Sequence, residues 1–152
     1  MKTKYITTAL SIIFLSAILI TSGCSSDDGG SNPTPLEAQL ALLENNGGSW
    51  ISTGGSVTKE GYDVSGEFSG FKLTVDGFNY TTENSLSGVW ASSEPWSFKN
   101  DRVTTIERND GVIINITSIN NIGLVLTFTD PSGTGGRYSS IPGDYVFSLK
   151  SE

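Results

Sequence analysis

The chain has 152 residues, a formal charge of -7, one cysteine and no histidine. That length supports one hydrophobic core rather than two, and a single cysteine excludes an intramolecular disulfide. The basic residues are few and scattered singly, which excludes the basic patch that nucleic-acid binding needs. Eighteen glycines, with abundant Ser, Thr and Asn and few Ala, Lys, Arg and Gln, favour strands and turns over helices.

Lys2 and Lys4 form a short positive segment, and Tyr5 to Ile20 is an uncharged, mostly apolar run of sixteen residues. A membrane-spanning helix needs about 20. Thr21-Ser22-Gly23 then places small residues before Cys24, the layout of a secretory signal peptide with a cysteine at the cut. This stretch resembles the lipobox of bacterial lipoproteins: Ser22 and Gly23 match its small pair, and Thr21 stands where leucine is usual. The resemblance implies that residues 1–23 are removed and that Cys24 becomes the first mature residue, carrying three acyl chains, palmitate among them. Each buried methylene contributes about 0.8 kcal/mol, so three chains anchor permanently. Losing Lys2 and Lys4 takes the formal charge from -7 to about -9, and an anionic membrane surface would repel such a domain.

Residues 24–33 read as the lipidated cysteine and a flexible tether. Within it, Ser25-Ser26-Asp27-Asp28-Gly29-Gly30 resembles the acidic tag that sends some Gram-negative lipoproteins to the outer leaflet. That implies a domain anchored to the outer membrane and facing the cell exterior. The plain alternative is a polar tether without an address.

A helix is expected next, over 35–46. Thr34 caps it, Pro35 suits the first helical position, Glu37 completes a capping box, and Asn46-Gly47-Gly48 ends it. Leu36, Leu40 and Leu43 share one face, too small an apolar stripe for independent stability, so the helix must dock on the domain that follows.

From Ser49 onward the hydrophobic period is two. Phe71, Leu73 and Val75 lie on one face of a strand, as do Val112, Ile114 and Ile116, then Ile122, Leu124, Leu126 and Phe128, then Tyr145, Phe147 and Leu149. Asp76-Gly77, Asn109-Asp110-Gly111 and Asn120-Asn121 separate strand-like runs with residues that tolerate positive φ. Pro95 is placed between strands. Eight or nine short strands joined by hairpins predict an all-β, antiparallel meander, closed as a small barrel or flattened as a sandwich, with one short N-terminal helix. Residues 34–152 would form this single domain.

Gly48-Ser49-Trp50 behind a short helix, followed by a meander, resembles the lipocalin arrangement, in which a G-x-W opens the barrel. More specifically, the run from Trp50 to Leu149 resembles uncharacterised lipocalin-like lipoproteins of Gram-negative bacteria. The similarity is carried by the tract Asp63–Phe71, Trp96-Ser97-Phe98, Arg108-Asn109-Asp110-Gly111, Gly135-Gly136-Arg137 and the closing Gly143-Asp144-Tyr145-Val146-Phe147. It implies a fold and a location but no activity. It also implies a late basic residue stacked on Trp50, for which Arg137 is the candidate.

The chemistry is defined mainly by what is missing. Without histidine there is no Ser-His-Asp triad, and with Cys24 in the anchor there is no thiol nucleophile. Zinc, copper and non-haem iron lose their usual nitrogen and sulfur ligands. Asn109-Asp110-Gly111 and Asp130-Pro131-Ser132-Gly133 offer oxygen atoms, but without the spaced Asp/Asn run of a calcium loop they read as turns. No metal or other cofactor is expected. A glycoside hydrolase would need two carboxylates across the sugar, and Glu83 with Glu94, flanking an aromatic stretch, are the least badly placed.

The better signal is for binding. Tyr80, Trp90 and Trp96, with Glu94, lie among Ser, Thr and Asn, and an exposed ring with nearby polar groups suits a sugar. Trp96 alternates with Phe98 along one strand face, so it reads as core more than as a binding group. Trp90, behind Ser85, Ser87 and Gly88, is expected to be the most exposed. The expectation is therefore a non-enzymatic domain binding a glycan or, in an internal cavity, an apolar molecule. The alternative is a structural module pairing with other envelope proteins. A carboxylate-dependent glycosidase stands behind both.

Overall fold

In the computed structural model, which describes residues 32–99, 101–131 and 141–152, the period-two segments become nine strands. They are β1 (Ser49–Lys59), β2 (Tyr62–Asp63), β3 (Lys72–Asp76), β4 (Asn79–Glu83), β5 (Ser93–Phe98), β6 (Thr105–Arg108), β7 (Ile113–Asn120), β8 (Gly123–Asp130) and β9 (Gly143–Ser151). Neighbours pair antiparallel in the order β2-β1-β3-β4-β5-β6-β7-β8-β9, and β1 also pairs with β9. All but the two-residue β2 therefore form an eight-stranded closed barrel, which decides between barrel and sandwich. Closure removes the open sheet edges along which strands of different molecules could pair.

β1 closes the ring by serving three neighbours. Its first residues pair with β3 (Trp50 opposite Leu73), its last with β2, and both ends with β9. Its register against β9 shifts between Ile51 and Ser56. Two glycines make that irregularity possible. Gly54 has φ of 74°, and a Cβ on Gly55 would lie 1.9 Å from the Ser148 carbonyl oxygen.

The inward faces match the predicted alternation. Leu73 and Val75, Ile114 and Ile116, Leu124, Leu126 and Phe128, and Tyr145, Phe147 and Leu149 are all buried, together with Trp50 and Phe71. Four local expectations are corrected. The helix, α1, spans Pro35–Leu43 instead of reaching residue 46, because Asn46 and Gly47 adopt positive φ inside a separate 3-10 turn. The β3–β4 loop is Gly77-Phe78, since Asp76 already pairs with Asn79. The β7–β8 loop is Asn121-Ile122, since Asn120 pairs with Gly123, and this puts Ile122 at the tip with 72% of its surface exposed instead of inside. Pro95 lies within β5, opposite Asn79, and points outward.

The capping box at α1 is formed: Thr34 Oγ1 accepts the Glu37 N–H at 3.2 Å, and the Glu37 carboxylate accepts the Thr34 N–H at 2.7 Å. The helix docks on one end of the barrel. Trp50 Nε1 donates to the Leu43 carbonyl at 2.8 Å, Gly77 N–H donates to Glu44 Oε1, and Asn45 donates to the Asn121 carbonyl. These bonds define a helix end that carries the β3–β4, β5–β6 and β7–β8 turns. The opposite end is stoppered by the 3-10 turn Ser65–Phe68 and by the connection between β4 and β5. Phe68 stands edge-on to Phe147 with ring centroids 4.9 Å apart.

Candidate functional site

The polar centre of the barrel is one residue that strand parity places inside. On β6, Ile106 and Arg108 face inward, and Arg108 is 1% exposed. A buried guanidinium needs counter-charge and acceptors, and the surrounding turns and strands supply them. Asp110, two residues on in the β6–β7 turn, forms an ion pair with Nη2. Nη1 donates to the Val89 carbonyl at 2.9 Å, and Glu94 Oε2 lies 3.8 Å from Nε. The guanidinium carbon sits 5.0 Å from the ring centroid of Trp90 and 6.0 Å from that of Tyr80, within cation–π range. The Tyr80 hydroxyl donates to Glu94 at 3.1 Å. Burial first, and then the neighbouring Glu94 carboxylate, push this phenol well above its ordinary pKa, against the opposing pull of Arg108.

All four residues expected to bind ligand thus come together, but inside. Trp90 is 1% and Tyr80 4% exposed, so Trp90 is no solvent-facing platform, contrary to the sequence expectation. The physical reason is the β4–β5 connection. It turns back into the barrel mouth, where the Val89 and Trp90 N–H groups both donate to the Leu86 carbonyl. That places the indole edge-on to Tyr80, Phe128 and Phe147. Trp96 packs against Phe78 and Phe98 as a core residue. Glu94 shares its inward face. Trp90 Nε1 and Arg108 Nε are buried without a hydrogen-bond partner.

Glu83 and Glu94, the suggested carboxylate pair, fall on opposite faces of the wall: Glu83 is an outward residue of β4 and Glu94 an inward residue of β5. Asp110 behaves as a turn residue, with Oδ1 accepting the Val112 N–H at 3.1 Å. Among the described residues no three acidic or cysteine side chains gather as a metal site. Cys24 and Arg137 lie outside the described residues. Trp50 uses its indole N–H on Leu43, and among the described residues Arg108 lies over Trp90. Sequence reasoning missed Arg108, although its even spacing from Ile106, one residue before a turn, marked it as inward-facing.

Space inside the barrel is scarce. The cavity bounded by Leu43, Tyr80, Trp90, Trp96 and Leu126 holds about 30 Å3, room for one water and far below the ~300 Å3 of a small-molecule pocket. The roomier concavity is on the outer wall, toward the stoppered end, across β7, β8 and β9. It measures about 600 Å3, with Asn115, Thr127, Thr129 and Asp144 offering polar groups and Ile113 and Val146 an apolar floor. Thr129 donates to Asp144 at 2.6 Å, which fixes the carboxylate in the groove. Comparison of the chain with protein-family models, curated proteins and solved structures finds no match.

Proposed function

We propose that this chain is a lipoprotein anchored to the outer membrane through Cys24, facing the cell exterior, whose barrel is a non-catalytic recognition domain. Its ligand is a small glycan held on the outside of the barrel in the β7–β9 groove, not in the lumen. One contrast carries this reading: about 600 Å3 of polar-lined groove outside against about 30 Å3 of apolar space inside. The hydroxyls of Thr127 and Thr129, the Asn115 amide and the Asp144 carboxylate are groups that exchange hydrogen bonds with sugar hydroxyls.

The test is a panel of glycans and fatty acids titrated against the full chain in detergent micelles. Glycan binding that falls about tenfold in Asp144→Asn, a loss of about 1.4 kcal/mol, and is unchanged in Trp90→Phe supports the groove. Fatty-acid binding that depends on Trp90 would move the ligand inside, and turnover abolished by Glu94→Gln would make the protein an enzyme. Surface display is tested on whole cells: protection from added protease until the envelope is broken refutes it. The second reading, a module pairing with envelope proteins, is favoured by Tyr62, which stands 77% exposed in β2. A photo-crosslinker at position 62 that captured one discrete envelope protein would support it.

A further inference from the structure

The β7–β9 groove does not stop at β7. A second concavity of about 370 Å3 lies on the outer wall of β5 and β6, lined by Pro95, Ser97, Glu107 and Asn109, and Gly111 of the β6–β7 turn lines both. Glu107 in the one also stands directly opposite Ile113 in the other, so the two are continuous across the β6–β7 pair. Gly111 has φ of 86°, and a Cβ placed there would meet nothing within 4 Å. That conformation calls for glycine, and it leaves the junction without a side chain to divide it.

Strand register gives this track a length. Outward side chains of five neighbouring strands form one row across it. Ser97 lies opposite Glu107, Glu107 opposite Ile113, and Thr129 opposite Asp144. Ile113 and Thr129 stand one residue beyond the paired Ile114 and Phe128. Adjacent strands are about 4.8 Å apart, so the row runs about 19 Å around the wall from Ser97 to Asp144. A pyranose unit advances a glycan chain by close to one such spacing, so the row accommodates about four units. Together the two concavities approach the ~1,000 Å3 upper end for small-ligand sites, more room than a monosaccharide fills.

Charge narrows the class further. Among the described residues, the charged side chains facing the track are the carboxylates of Glu107 and Asp144, because Arg108 turns inward. Lys99 lies 3.9 Å from Glu107 and offsets one of them. A chain of acidic sugars would meet like charge toward both ends.

We propose that the site takes a neutral oligosaccharide of about four units, running around the wall from Asp144 on β9, past Gly111, to Ser97 on β5. This rests on the glycan reading of the β7–β9 groove given above and extends it. Asn115, Thr127, Thr129 and Asp144 exchange hydrogen bonds with the units at one end, and Ser97, Glu107 and Asn109 with those at the other. Ile113 and Pro95 offer apolar patches to the C–H faces of the sugar rings.

The test is a length series. Neutral α-1,4-linked and β-1,4-linked glucans, each from disaccharide to hexasaccharide, are titrated calorimetrically into the full chain in micelles of a detergent without a sugar headgroup. In one of the two series, affinity should rise about tenfold from disaccharide to tetrasaccharide and then level off. Gly111→Asn places a side chain in the junction, with a residue type that tolerates positive φ. It should weaken tetrasaccharide binding severalfold, and so should Ser97→Ala combined with Glu107→Gln. Thermal midpoints are measured alongside, and the second variant, which changes only outward-facing groups, carries the test if Gly111→Asn does not fold. An affinity independent of length, or a rise that the variants leave intact, overturns the extended site; if that binding is still weakened by Asp144→Asn, the groove reading stands. A tetrasaccharide of uronic acids that binds more tightly than the neutral ones overturns the assignment of a neutral ligand. Binding by neither series at any length overturns the extended chain, and a blank across the wider glycan panel takes the groove reading down with it.

Discussion

Replacing Arg108 by methionine keeps a long unbranched side chain and deletes the guanidinium. In the native barrel that group faces Asp110 and Glu94, donates to the Val89 carbonyl and lies over Trp90. The variant leaves two carboxylates facing a largely apolar interior without their cation. Breaking a buried pair from one side costs about 3–5 kcal/mol, and loss of the cation–π contact adds about 1 kcal/mol. Glu94 keeps 19% of its side-chain surface exposed against 6% for Asp110, so water screens Glu94 and most of the cost falls on Asp110. A total of about 4 kcal/mol lowers the urea midpoint by about 2 M at a slope of ~2 kcal/mol/M, and the melting temperature by about 15 °C for a domain of this size. The assay is urea unfolding of the soluble 25–152 fragment, followed by tryptophan fluorescence. Arg108→Met combined with Asp110→Asn and Glu94→Gln removes the stranded charges and should recover at least half of the loss, because a neutral isosteric set often matches a buried ion pair. A single variant within about 1 kcal/mol of the parent, or a triple variant no better than the single, would refute the account of the cluster as a charge-compensated core.

Trp90→Ala should cost about 3–5 kcal/mol through the cavity it opens among Tyr80, Phe128 and Phe147; a loss below 1 kcal/mol, measured in the same way, would mean that the indole is not packed as described. Gly55→Ala should fail to give a cooperative thermal transition, because its Cβ would meet the Ser148 carbonyl oxygen at the β1–β9 seam, and an unchanged melting curve would contradict that seam. Thr34→Ala should cost about 1 kcal/mol, the usual value of an N-cap, read as a shift of the thermal midpoint. Alkaline pH should unfold the domain. Burial raises Tyr80 and pushes Tyr145 up to about 12, so both phenols stay protonated when folded and ionise near 10 when unfolded. The stability they contribute is whole below pH 10 and is lost as pH rises from 10 toward 12. Ultraviolet titration should show those tyrosines ionising only together with the loss of β-sheet signal, and early smooth ionisation of all tyrosines would refute it.

The strands were legible because burial on one face leaves a period of two, as in Leu124, Leu126 and Phe128 or Tyr145, Phe147 and Leu149. The helix start was legible because Thr34, Pro35 and Glu37 act locally. Loop boundaries slipped by a residue at Gly77-Phe78 and Asn121-Ile122, since pairing across the hairpin, not turn propensity, decides where a ladder ends. The candidate site was half legible. Its aromatic and acidic members converge, but the polar neighbours Ser85, Ser87 and Gly88 concealed that the β4–β5 connection folds inward and buries Trp90. Arg108 was hidden because a charged residue is normally read as surface, and only its partners on four other segments make an interior arginine tolerable. The return of β1 to β9 leaves no local trace at all.

That seam has a consequence for biogenesis. Trp50 meets Ser151 across about a hundred residues of chain, whereas every other neighbouring pair of barrel strands forms between segments adjacent in sequence. Joining such distant ends carries the largest loop-closure entropy in the domain, so the hairpins zip first and the ring shuts last. Until the final strand emerges, the newly made polypeptide is an unfinished ladder with bare backbone on both flanks, a species that sticks to its own kind. That exposure lasts until β9, Gly143–Ser151, is made and joins β1 and β8.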